Sequence, residues 1–227
     1  MSMNTSAVRD HFRVQVDHYP GLMGRIIPGY AEQRDLMVRL VPFESGRRIR
    51  ILDLGCGPGL LAQQLLREFP QAELTALDLT NEMLDACRQR AGDESRMDYR
   101  LADFRTDDLG SGYDVITASL SLHHLTFAER PDFFARAYDS LNPGGVLIAA
   151  EVIIDESPDV RASQYRLWQE FMIANGEDGE QWFSKHTDKD HPATITSLIS
   201  WLGVAGFVGA GCYWRQLNFA VLRAARR

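Results

Sequence analysis

Three aspartates, Asp53, Asp78 and Asp103, each lie at the end of a short apolar run, and a cluster of glycines follows the first. The run Ile49–Leu54 reads as a strand, Gly55-Cys56-Gly57-Pro58-Gly59 as a tight turn, and Leu60 to Phe69 as the helix after it. Three glycines in five residues let the backbone turn sharply and leave no Cβ between it and a ligand. The helix that opens there offers free N–H groups and a positive dipole end to a polar or anionic guest. A carboxylate at Asp53 can accept from an ammonium or hold the turn. Alone, such a unit is a nucleotide-site candidate, with a plain βα turn as the alternative.

Asp78 follows Asp53 by 25 residues. Dinucleotide sites place an acid about 20 residues beyond the glycine turn, where it bonds a pair of ribose hydroxyls. A carboxylate suits that task because it accepts two donors at once; a helix-entry cap is the other reading. Asp103-Phe104 repeats the arrangement, with an acid for an exocyclic amine and a ring to pack on a base. Three acids at three successive strand ends point to one crevice at the carboxyl edge of a sheet. Beyond the fourth strand, Ser119-Leu120-Ser121-Leu122-His123-His124-Leu125 brings two histidines to the same edge. One of them, His123 in the first place, can deprotonate an acceptor near neutral pH. The alternative is that His123 shapes the pocket and His124 caps the next helix. Glu151, at the end of the fifth strand, can orient an acceptor or satisfy backbone groups.

The elements that must position these side chains follow from the pattern. Strands are expected at Ile49–Leu54, Glu73–Asp78, Tyr99–Ala102, Asp114–Ser119 and Val146–Ala150, with helices from Leu60, Thr80 and Ala128 between most of them. That alternation implies βαβ units and a largely parallel sheet. Asn142-Pro143-Gly144-Gly145 reads as a turn before the fifth strand. Upstream, Val8 to Tyr19 and Ala31 to Val41 look helical, joined by a bent connection containing Pro20, Gly21, Gly24, Pro28 and Gly29. This arm packs on the core or forms a lid, and Tyr19, Arg25 and Tyr30 are its candidate functional side chains, Tyr19 as a catalytic one. Downstream, helices are expected at Ser157–Asn175 and Thr194–Ala205, with polar residues 176–191 between them and a closing hairpin of Gly209–Trp214 and Leu217–Leu222. Trp168, Trp182 and Trp214 read as core packing; an aromatic face over a sulfonium is the alternative.

Composition narrows the class. With 227 residues, 45% of them hydrophobic, the chain can bury one sizeable core. A net charge of −7 opposes non-specific nucleic-acid binding. The three cysteines, Cys56, Cys87 and Cys212, form no metal-ligand or disulfide spacing, so no metal is expected. No run reaches the length of a membrane span and no signal sequence is evident, which predicts a soluble, cytoplasmic protein.

In their order and spacing, Leu52 to Gly59, Asp78, Asp103-Phe104 and Leu141-Asn142-Pro143-Gly144-Gly145 resemble the class I S-adenosylmethionine (SAM) dependent methyltransferases. The match covers about residues 48 to 151. It implies a Rossmann-like α/β fold with a seven-stranded, mostly parallel sheet in the order 3-2-1-4-5-7-6, strand 7 being antiparallel. Residues 1–46 would form a helical arm, and 47–227 the SAM-binding domain with a helical cover at about 155–192. By that resemblance Asp53, Gly55, Cys56, Gly57 and Gly59 lie under the aminoacyl part of SAM. Asp78 holds the ribose, Asp103 the adenine amine, and Leu79, Met83 and Phe104 flank the ring. A nicotinamide enzyme would need a third glycine in place of Leu61 or Ala62.

The flanks resemble carboxy-SAM synthase and its relatives through Ile27-Pro28-Gly29-Tyr30, Phe171 to Gly176 and Asn218-Phe219. This similarity brings Tyr30 to the bound SAM and makes Ser119 a polar contact to it. The synthase uses an arginine, shortly after a Ser-Gln-Lys run, to hold the added carboxylate. Here Ser184-Lys185 is followed by His186, which lacks the bidentate fork of a guanidinium. The expected function is therefore methyl transfer from SAM to a small molecule, without nucleic acid or membrane as partner. The rival is a reaction in which SAM is itself the substrate, cyclised to azetidine-2-carboxylate with release of methylthioadenosine. Carboxy-SAM formation and a non-catalytic SAM binder rank behind it, and a homodimer is compatible with the sequence.

Overall fold

The computed structural model describes residues 19–92 and 95–227. The helix expected at Val8–Tyr19 lies almost wholly outside these residues, as does the Tyr19 side chain. Seven strands form one sheet: β1 (Arg50–Leu54), β2 (Glu73–Asp78), β3 (Met97–Leu101), β4 (Tyr113–Ser119), β5 (Leu141–Val152), β6 (Val208–Gln216) and β7 (Phe219–Ala225). Their order is β3-β2-β1-β4-β5-β7-β6, and β7 alone runs against its neighbours. This is the expected Rossmann-like topology of class I methyltransferases. Along β1 the apolar side chains alternate between two cores, because successive strand residues face opposite sides. Ile51 packs under α2 (Tyr30–Arg39), α3 (Leu60–Glu68) and α4 (Asn81–Ala91). Leu52 and Leu54 pack under α5 (Arg130–Ser140) and α8 (Ile195–Val204).

Three stretches differ from expectation. The connection before Tyr30 is largely a helix, α1 (Tyr19–Ile26), despite Pro20, Gly21 and Gly24. Proline falls in the first turn, where no N–H is required. The helix buries Leu22 and Ile26 against Trp168, Met172 and Phe219, and the bend is confined to Ile27, Pro28 and Gly29. Residues 142–145 are a register break inside β5, which pairs with β4 at Leu141 and again from Val146. The polar stretch after α6 (Pro158–Ala174) contains α7 (Gly179–Lys189), capped by Asp178, whose carboxylate accepts from Gln181 N at 2.9 Å. Thr80, Ser157 and Thr194 cap their helices in the same way.

The arm and the cover are tied together. Trp168 Nε1 of α6 donates to the Ile26 carbonyl at 2.7 Å, and Arg25 pairs with Glu177 at 2.6 Å. Trp168 is core, as expected. Among the described residues no helix is long and apolar enough to cross a membrane.

Candidate functional site

Parallel strands place their carboxyl ends on one edge, and there the named acids meet. A cleft partly open to solvent, with about 700 Å³ of space in and over it, is walled by Gly55, Gly57, Asp78, Leu79, Thr80, Met83, Asp103, Phe104, Arg105, Ser119, Leu120, Ser121 and His124. A smaller compartment of about 320 Å³ shares Gly55, Gly57 and Ser119 with it and adds Tyr30, Arg34, Asp53 and Cys56. The structure therefore brings together all but one of the expected cofactor residues. The exception is Gly59, which packs behind the turn, where a Cβ would lie 2.6 Å from Cys87 Sγ.

Asp53 pairs in register with Thr117, whose hydroxyl donates to Asp53 Oδ1 at 2.7 Å. Its other oxygen is buried without a partner. Burial pushes the carboxyl up to about 7, the Thr117 bond offsetting only part of this. The unfolded chain titrates near 3.9. Between the two values the folded state holds the extra proton, so this group costs stability as pH rises from about 4 to 7. Relative to wild type, ligand-free Asp53→Asn is expected to gain roughly 1–4 kcal/mol between pH 4 and 8 in urea unfolding. Parallel stability curves would mean that Asp53 is already ionised in the folded protein.

Gly55 turns at φ 65°, and a Cβ there would meet Ser121 Cβ at 2.7 Å. Ser121 Oγ in turn donates to the Leu54 carbonyl at 2.8 Å, which closes the turn onto the end of β4. Asp78 binds both sides of the crevice. Its Oδ2 accepts from Gly57 N at 3.0 Å, and its Oδ1 from Thr80 N and Oγ1 at 3.0 and 3.1 Å. Burial raises its carboxyl despite these bonds. Asp103 is held by Arg105, whose Nη2 lies 2.6 Å from Oδ2 and whose Nε lies 2.9 Å from Oδ1. Phe104 stands edge-on to Phe133, with ring centroids 5.7 Å apart.

Tyr30 is half-buried with the Arg34 guanidinium 4.0 Å from its ring centroid, and burial raises its phenol. Arg34 was not legible as a site residue, although it sits one helical turn after Tyr30. Its Nη1 donates to the Tyr30 carbonyl at 3.1 Å, while Nε is buried without a partner. Leu120 also gave no signal. It adopts a left-handed backbone (φ 57°), a conformation that costs a non-glycine residue about 1 kcal/mol. That kink swings the chain from β4 into the 3₁₀ turn Leu122–His124.

Of the two histidines, His124 lines the larger cavity. His123 is 6% exposed and sits behind it, with burial lowering its imidazole to about 3. The expectation that His123 is the base thus falls on a side chain the structure withdraws from the cavity wall. Glu151 is also withdrawn. It is 1% exposed, burial pushes it up to about 8, and its Oε1 accepts from Leu122 N at 3.1 Å. Its visible task is to hold the turn that carries both histidines.

A Rossmann-like sheet of this order, with a glycine turn and acids at the ends of β1 and β2, defines the class I methyltransferase fold. Residues 51–145 match the model of a family described as a methyltransferase domain. The chain is 26% identical to the carboxy-S-adenosyl-L-methionine synthase of Aeromonas salmonicida, over 93% of this chain and 88% of that one. Among solved structures, magnesium protoporphyrin IX methyltransferase from Synechocystis with bound SAM superposes with a TM-score of 0.69. The identity is 16%, and 98% of this chain and 97% of that one are covered. The methyltransferase SibL, in its apo form, superposes with a TM-score of 0.63 at 22% identity over 87% of this chain. This chain spans 55% of its length.

Proposed function

We propose that the protein binds SAM across the two compartments and transfers its methyl group to a small-molecule acceptor. The observation that carries this reading is the pair of unpartnered buried atoms, Asp53 Oδ2 and Arg34 Nε, on residues lining the smaller compartment. A carboxylate and a guanidinium in one small chamber are complementary to the ammonium and carboxylate of an amino-acid zwitterion. The adjoining compartment offers Asp78 to a ribose diol and places Leu79, Met83 and Phe104 for a flat base. A carboxylate has about four lone-pair sites, so Asp78 keeps room for a hydroxyl beside its present bonds.

When bound, SAM supplies a methyl group activated by a positively charged sulfur. The chain contributes alignment. Asp53 and Asp78 fix two points along the cofactor, the glycine turn admits its backbone-close part, and the wall of Ser119, Leu120 and His124 faces the acceptor. Methyl transfer is an in-line displacement that gains mainly from such positioning and from exclusion of water.

Two features favour methyl transfer over its rivals. His186 is buried and donates from Nδ1 to Asp190 Oδ2 at 2.7 Å, so it is committed where the synthase would present an arginine to a carboxylate. Tyr165, Trp168 and Phe183 stack edge-on among themselves at 5.0 and 6.3 Å, which is cover packing rather than a cage round a sulfonium. Incubation of the pure protein with SAM alone, resolved by mass spectrometry, tests this. SAM should come back intact. Methylthioadenosine with a new SAM-derived amino acid would overturn the methyl-transfer reading.

A further inference from the structure

Where the cover meets the end of β4, three imidazoles gather round one carboxylate. Asp190, just past α7, places Oδ1 3.2 Å from His124 Nδ1 and 3.8 Å from His123 Nε2. One donor atom from each of His123, His124 and Asp190 lies within 4.8 Å of the others. Ligands about 2.1 Å from a tetrahedral zinc-like ion are ~3.4 Å apart, so these separations bracket what an ion between them requires. The other carboxylate oxygen, Oδ2, accepts from His186 Nδ1, and His186 Nε2 lies 3.5 Å from the Tyr165 hydroxyl. That is the outer hydrogen bonding that orients a metal-binding carboxylate. His191 N donates to the His123 carbonyl at 2.7 Å and locks the two segments together.

We propose that His123, His124 and Asp190 form a binding site for one divalent transition-metal ion, with His186 as the outer partner of the carboxylate. Two imidazoles and one carboxylate suit zinc, cobalt or nickel rather than magnesium or calcium, which take oxygen ligands. Three protein ligands leave a position open, as in catalytic rather than structural sites. Because His124 lines the larger cavity, that position adjoins the space assigned to the acceptor. An acceptor oxygen bound there would lose its proton more readily and be held for attack. This second role rests on the methyl-transfer reading; the ion site itself does not.

The test uses tag-free, chelator-treated full-length protein, titrated with zinc by calorimetry and with cobalt by visible absorption. One equivalent per chain is expected, with cobalt absorption typical of nitrogen and oxygen ligands. Asp190→Asn and, independently, His124→Gln should each weaken binding by about tenfold or more, with folding checked by circular dichroism. Asp78→Ala should bind the ion as wild type does, since it touches only the proposed cofactor site. No saturable equivalent would overturn the site, leaving the four side chains as a hydrogen-bonded cluster. Equal binding by wild type and both variants would do so too, by placing the ion elsewhere. Stoichiometric binding without any methyl transfer would keep the site and remove its role toward the acceptor. Methyl transfer by a protein that binds no ion would remove the site and spare the proposed function.

Discussion

Asp78→Ala is expected to lower SAM affinity by about 10- to 100-fold, or roughly 1–3 kcal/mol, in calorimetry. Two losses combine. The proposed bond to a ribose hydroxyl is charge-assisted and partly desolvated, which places it among the stronger hydrogen bonds. The same carboxylate also holds Gly57 N and the Thr80 backbone and hydroxyl, so the glycine turn and the first turn of α4 lose their common anchor. Asp78→Asn separates the two, because an amide oxygen still accepts from one backbone group but carries no charge. An intermediate loss in that variant would apportion the effect. Unchanged affinity in Asp78→Ala would remove the ribose assignment.

Gly59→Ala is expected to be the most damaging single methyl in the glycine turn. Gly59 adopts φ 80°, in the left-handed region that costs an alanine about 1–2 kcal/mol. The new Cβ would also lie 2.6 Å from Cys87 Sγ and 3.2 Å from Cys87 Cα. The sulfur can give way, but the α4 backbone behind it cannot without moving the helix that carries Met83. Strain and overpacking together suggest a loss of about 2–5 kcal/mol. In a protein of this size that lowers the midpoint of thermal unfolding by roughly 5–15 °C. Cys87→Ala in the same chain should recover part of the loss. A Gly59→Ala protein as stable as wild type would contradict the close packing of α3 on α4.

Much of the fold could be read in advance because its signals are local. Short, nearly continuous apolar runs separated by helix-length segments mark parallel strands buried on both faces, and the glycine turn fixes where the first of them stops. α1 and α7 were missed for opposite reasons. Two prolines and three glycines over residues 19–30 argue against a helix, yet burial of Leu22 and Ile26 under Trp168 overrides that local preference. α7 is polar on most of its surface, and its start signal was a single aspartate, Asp178. At the site, the acids were legible because chemistry and strand-end position coincide in one residue. Which of His123 and His124 lines the cavity was not, since adjacent residues differ only in rotation about a short 3₁₀ turn. That rotation is set by Leu120 in its left-handed kink and by Glu151 gripping Leu122 N from a strand 29 residues away. Asp190 and Arg34 depend on how the cover and the arm fold back, which no spacing in the sequence encodes.

On the proposed function, the two compartments hold SAM for donation of its methyl group to another molecule. The most direct test is to supply methyl-labelled SAM together with a pool of small hydroxy, carboxy and amino compounds, and to follow the label by mass spectrometry. A labelled methyl product accompanied by an equal amount of S-adenosylhomocysteine is expected, both reduced in Asp53→Asn and Asp78→Ala. Turnover that yields methylthioadenosine in place of S-adenosylhomocysteine would contradict the proposed function.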